Sequence, residues 1–159
     1  MTMEVDSQEG CTFVVMDKNT IQAKLYEHYL SFILPEGMLD FFELVWMETE
    51  SLPERESKKD IAYTGILHIH LDERDNRTEE QQDLRPNGFT EPTTMSDFPI
   101  RDRRVELHIR RRRWLTPEGR SMILNIYPLV ADGTRYSVEF AEFLKKKLGC
   151  DPDDSTLPW

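Results

Sequence analysis

The sequence predicts an α+β domain: a small antiparallel sheet with an Arg-ended β-hairpin, packed by an N-terminal helix and a C-terminal helix. Three observations carry this. Val105, Leu107 and Ile109 alternate with Arg104, Glu106, His108 and Arg110, the period of two of a strand with one apolar face. Ile61, Tyr63, Gly65, Leu67, Ile69 and Leu71 alternate in the same way with Thr64, Ile66, His68 and His70. Val138, Phe140, Ala141, Leu144 and Leu148 recur at helical spacing behind Ser137, a residue type that caps helix N-termini.

Taken in order, residues 1–18 read as a flexible tail and 19–149 as a single domain. Asn19 or Thr20 can cap a first helix, with Ile21, Leu25, Tyr29, Phe32 and Ile33 on its apolar side and Pro35 as its stop. Met38, Leu39, Phe41 and Phe42 form a short amphipathic core piece, and Phe42 to Met47 a first strand, paired with the strand ending at Leu71. Residues 72–96 are polar and read as a long surface loop. The basic strand follows, then a turn at Thr116–Gly119 with Pro117 in its second position. Arg120 to Val130 returns as its partner, with Met122, Leu124 and Ile126 on one side and Pro128 marking an edge or an end. In the last helix Glu139 lies in the first turn and Lys145, Lys146 and Lys147 in the last, both favourable to the helix dipole. Gly149 stops it, and 150–159 is an acidic tail.

The chain has 159 residues and a formal charge of −10, unevenly spread. Residues 35–97 hold 16 acids and 6 bases, whereas 98–149 hold 6 acids and 12 bases. Such asymmetry between halves points to a charged partner. No apolar run approaches the ~18 residues of a membrane helix, and the acidic, polar start is no secretory signal. Cys11 and Cys150 form neither a disulfide framework nor a CxxC site, which suits a reducing cytoplasm.

The candidate site is the basic stretch. Arg101, Arg103, Arg104, Arg110, Arg111, Arg112 and Arg113 stand against only Asp102 and Glu106, and Trp114 closes the run. Past Ile109 the apolar face runs out. Unpaired charge cannot be buried there, so these guanidiniums meet solvent, carboxylates or phosphates. Arg forks suit phosphate oxygens, and Trp114 could pack or stack beside them. Pairing with the acidic first half is the competing reading. His68 and His70 point the same way from one strand and His108 lies on another; with no third ligand evident, they read as the polar face of a half-exposed sheet. Asp40, Asp72, Asp97 and Asp132 could in principle serve a two-metal nuclease, but nothing in the pattern gathers them. No Gly-rich phosphate loop, nucleophile elbow or HExxH occurs.

DFPIR…V.LHIRRRRW at Asp97–Trp114, followed by LVADGTRYSVEFAEFLK at Leu129–Lys145, resembles the N-terminal, non-catalytic region of ISAon-type bacterial insertion-sequence transposases. LPEGMLDFFELV at Leu34–Val45 and IHLDERD at Ile69–Asp75 resemble the opening of the same region. The resemblance implies a DNA-binding module of a mobile element, working in DNA transposition and recombination. It also implies that the module recognises double-stranded DNA at the terminal inverted repeats and partners a separate catalytic transposase subunit or domain. It implies no catalytic residue and no cofactor in this chain. The heads of related transposases hold zinc through Cys pairs, and this region looks like a metal-free version of that head. A protein-interaction or regulatory module without DNA contact is the alternative.

Overall fold

A computed structural model describes residues 18–53, 63–131 and 133–149. The tails at 1–17 and 150–159, Ile61 and Asp132 lie outside them. The α+β expectation holds, but the strands form two sheets rather than one, and the larger is mixed. β1 (Phe42–Ser51), β2 (Gly65–Glu73), β4 (Thr93–Ile100) and β5 (Arg103–Arg110) make a sheet in the order β1-β2-β5-β4. β3 (Arg85–Phe89), β6 (Arg112–Leu115) and β7 (Ser121–Ile123) make a second, in the order β3-β6-β7.

The alternation in β5 does what its period requires. Val105, Leu107 and Ile109 are buried, together with Ile69 and Leu71 of β2, Met95 of β4 and Phe42 of β1. β2 and β5 run parallel, Ile69 opposite Leu107 and Leu71 opposite Ile109. β4 and β5 form a tight hairpin whose turn puts Arg101 at φ 55°, a left-handed conformation that costs a side chain about 1 kcal/mol. Thr64 ties this turn to β2: its N–H donates to the Asp102 carbonyl at 2.8 Å and its hydroxyl to the Asp102 carboxylate. At Gly65 the β1 backbone comes so close that a Cβ would lie 2.5 Å from the Glu50 carbonyl oxygen.

A bulge between Leu44 and Trp46 turns β1 over. Before it, Phe42 faces the core; after it, Trp46 stands on the opposite, polar face beside His70. α1 (Lys18–Leu30) departs from the expected face. Leu25, Tyr29, Phe32 and Ile33 are exposed, Phe32 by 76%, and it is Leu30 and Leu34 that enter the core with Met38 of α2 (Met38–Phe41). Helical spacing shows that apolar residues share a side; only the packing shows which side is covered.

Residues 72–96 are not a loop. They carry the end of β2, a 3-10 turn at Glu79–Gln81, β3 and the start of β4. Polar groups build this segment, which is why its composition concealed it. Asp75 receives two bonds from the Arg77 guanidinium, at 3.0 and 2.8 Å, and Thr78 and Gln81 form a reciprocal capping box. Arg74 Nε donates to the Leu39 and Phe42 carbonyls, closing the end of α2. The returning strand is likewise shorter than expected, with Met122 and Ile126 exposed and only Leu124 buried. Beyond β7 the Arg111 guanidinium replaces a strand partner, donating to the Leu124 and Tyr127 carbonyls and to Asn125 Oδ1.

The last helix, α3 (Val138–Phe143), continues as a wider π turn over Leu144–Leu148 and buries Phe140, Ala141 and Leu144. Ser137 caps it, accepting from the Phe140 N–H at 3.3 Å and donating to Asp97 Oδ1 at 2.7 Å. Burial raises the Asp97 carboxyl above its ordinary 3.8, against the Ser137 hydrogen bond that favours its charge. The folded chain therefore holds this proton to higher pH than the unfolded chain, and Asp97 costs stability as pH rises through that window. Denaturant titrations of wild type and Asp97→Asn from pH 4 to 7 should show wild type losing ground to the variant as pH rises. A constant difference would assign the group an ordinary titration.

Candidate nucleic-acid interface

The seven arginines do not form one patch. The chain leaves the large sheet at Arg110 and enters the small one at Arg112, so the run is divided between two sheets with Arg111 as the joint. Arg110 forks onto Asp72, Nε to Oδ1 at 2.7 Å and Nη2 to Oδ2 at 2.5 Å, and this pairing raises its already high pKa. Arg112 donates its backbone N–H to Glu73 Oε2 at 2.7 Å and its Nε to the Glu73 carbonyl at 3.2 Å. The guanidiniums of Arg110 and Arg112 both lie against the Phe89 ring, 4.9 and 4.8 Å from its centroid. These two, with Arg111, are committed to holding the sheets together. In part the competing expectation is what the geometry displays: Asp72 and Glu73 of the acidic half face the basic run.

Trp114 is 1% exposed and packs with Leu84 and Leu124 in a second core. Arg77 lies over its ring at 4.5 Å and Arg112 at 5.9 Å. It packs inside the protein, and its faces are covered against stacking on a base. Arg104 is half-buried, and its Nε is buried without a hydrogen-bond partner among the described residues. Arg103 is exposed and pairs with Asp102 at 3.0 Å. Arg101 is exposed on its turn.

Arg113 is the member of the run that the small sheet turns outward. Its neighbours on that side follow from register: Leu115 two residues on, Arg85 opposite Leu115, and Ile123 opposite Arg113. Ser121 accepts from Arg113 Nε at 3.3 Å and from Asn87 at 3.3 Å. Arg120 is exposed at the entry to β7. The strands and turn of this sheet carry Arg85, Arg112, Arg113 and Arg120 against Glu118 alone. Among the described residues no carboxylate is within 4.0 Å of Arg85, Arg113 or Arg120. The side therefore presents the Arg85 and Arg113 guanidiniums with two short hydrogen-bonding side chains, a donor set suited to anionic oxygens, and Arg120 lies exposed just before β7. Arg85 was not singled out from sequence, because an isolated arginine carries no signal until strand pairing places it.

Of the acids considered for catalysis, Asp72 is held by Arg110 and Asp97 by Ser137, while Asp40 is exposed on α2. His68, His70 and His108 do share one side of the large sheet, the polar one. Trp46, His70 and His108 stack in a row with centroid spacings of 4.3 and 4.6 Å. No helix among the described residues is long and apolar enough to cross a membrane. Comparison of the chain with family models, curated proteins and solved structures returns no match.

Proposed function

We propose that this chain is a non-catalytic DNA-binding module of an insertion-sequence transposase, acting in the bacterial cytoplasm on the element's terminal inverted repeats alongside a separate catalytic subunit. The observation that supports it is the solvent-facing side of the small sheet, where Arg85 and Arg113 stand, with the exposed Arg120 at the entry to β7, all without a carboxylate partner among the described residues, in a protein of net charge −10. Keeping guanidiniums clear of carboxylates, amid so many acids, is what phosphate contact requires. The site proposed is narrower than the basic run: Arg113, with Arg101 and Arg103 at the far turn as outlying contacts, and Arg110 to Arg112 as its support.

Fluorescence anisotropy with a labelled repeat duplex and a scrambled duplex tests this. Three phosphate contacts give a log–log salt slope of roughly −3, or about 40-fold weaker binding between about 50 and 200 mM salt. Changing Arg85, Arg113 and Arg120 together to Glu should weaken binding at least about 100-fold and flatten that slope. Unchanged binding in this variant would remove the small sheet from the interface. Failure of the wild type to bind either duplex would favour the alternative, a protein-interaction module. The exposed Tyr26, Tyr29, Phe32 and Ile33 at the end of α1 support that second reading.

A further inference from the structure

On the polar side of the large sheet, the parallel register sets His68 opposite Glu106 and His70 opposite His108. His68 Nδ1 and His108 Nε2 lie 2.8 Å apart, and a Glu106 carboxylate oxygen is 3.7 Å from His68 Nδ1. One ligand atom from each of the three residues falls within 4.8 Å of the others. The outer nitrogens are also held. His68 Nε2 is 3.1 Å from Glu50 Oε2, and His108 Nδ1 is 2.9 Å from Thr94 Oγ1.

We infer that His68, His108 and Glu106 form a binding site for a divalent transition-metal ion, zinc being the ion that two imidazoles and one carboxylate suit best. Without an ion the hydrogen bonds run in one direction. The Thr94 hydroxyl donates to His108 Nδ1, His108 Nε2–H donates to His68 Nδ1, and His68 Nε2–H donates to Glu50. Every partner is then satisfied. In its hydrogen bonding, binding an ion needs that His108 change tautomer and that Thr94 turn from donor to acceptor. His68 already presents its Nδ1 lone pair, with Glu50 holding its other nitrogen. This outer support, a carboxylate or hydroxyl on the far nitrogen of each ligating ring, is the arrangement that orients histidines in metal sites.

The distances suit the ion after a small adjustment. Two nitrogens at 2.0–2.1 Å from zinc in a tetrahedron are about 3.3 Å apart, so the 2.8 Å contact opens by about 0.5 Å. The Glu106 oxygen, 3.7 Å from His68 Nδ1, closes on that nitrogen by a similar amount. The fourth position is left to water. This site uses no cysteine, so it is unrelated to a zinc ribbon.

The test uses the full chain, stripped with chelator, with Cys11 and Cys150 replaced by Ser so that thiolates contribute nothing. Calorimetry with zinc chloride should give one ion per chain, and cobalt(II) should develop the visible absorption of a four-coordinate site. His68→Ala and Glu106→Gln should each abolish or weaken binding by more than about 100-fold. Thr94→Ala keeps all three ligands and should weaken it about 10- to 100-fold through the His108 ring alone. Circular dichroism confirms that each variant is folded; Thr94→Ala carries the test if a ligand variant is not. Absence of one-to-one binding in the parent, or unchanged affinity in the folded variants, would overturn the assignment.

Discussion

Trp114→Ala should lower the unfolding free energy by about 3–5 kcal/mol, the range for removing a large buried aromatic side chain. The indole is the centre of the second core, between Leu84 and Leu124. It is also the surface on which Arg77 lies, and Arg77 in turn holds the Leu84 carbonyl at 2.7 Å and Asp75. Truncation thus empties a core and releases the segment that carries β3. Urea denaturation measures the loss. Trp114→Phe, which keeps a ring for both guanidiniums, should recover much of it. If Trp114 served chiefly to stack on DNA, the alanine variant would instead keep near wild-type stability and lose affinity alone. On the proposed DNA-binding reading, any loss of affinity in the alanine variant tracks its unfolded fraction.

Glu73→Ala should cost about 2–4 kcal/mol. The side chain is buried at the point where the chain passes from the large sheet to the small one, and its Oε2 receives the Arg112 N–H at 2.7 Å. Burial pushes its carboxyl above the ordinary range, opposed by that N–H and by the charges of Arg111 and Arg112. Removing it leaves a backbone donor without an acceptor and takes away a carboxylate charge that Arg111 and Arg112 act on. Glu73→Gln retains an acceptor for the N–H while giving up the charge. Denaturant titration should place it between alanine and wild type. Equal losses for both variants would mean that the charge, and not the hydrogen bond, holds the junction.

Much of this architecture could be read from side-chain order. The apolar face of β5 and the Ser137 cap follow from local rules, because period and capping are settled within a few residues. The division of the arginines could not be read so. Arg110 to Arg113 are alike in sequence, and they differ in fate because Asp72 and Glu73, at the end of β2, pair with Arg110 and Arg112 while Arg113 turns outward. A faint signal was present in the two consecutive acids that follow an alternating strand. The third member of the His68–His108 group was hidden for a different reason. Glu106 reaches His68 only through a parallel register between β2 and β5, whereas the segments were expected to pair antiparallel with other neighbours. The exposed side of α1 shows the limit of periodicity itself.

The parallel pairing at the centre of the large sheet also fixes the order in which the chain can take shape as it leaves the ribosome. Gly65 meets Arg103, 38 positions later, so a nascent chain that ends before β5 has half a sheet with Ile69 and Leu71 uncovered. Local hairpins such as β4–β5 close in about 1–10 μs, but the long connection must close before the central pair rewards it. The two halves of the apolar core therefore arrive separately and late, and the acidic residues around β1 and β2 keep the waiting half dispersed in water.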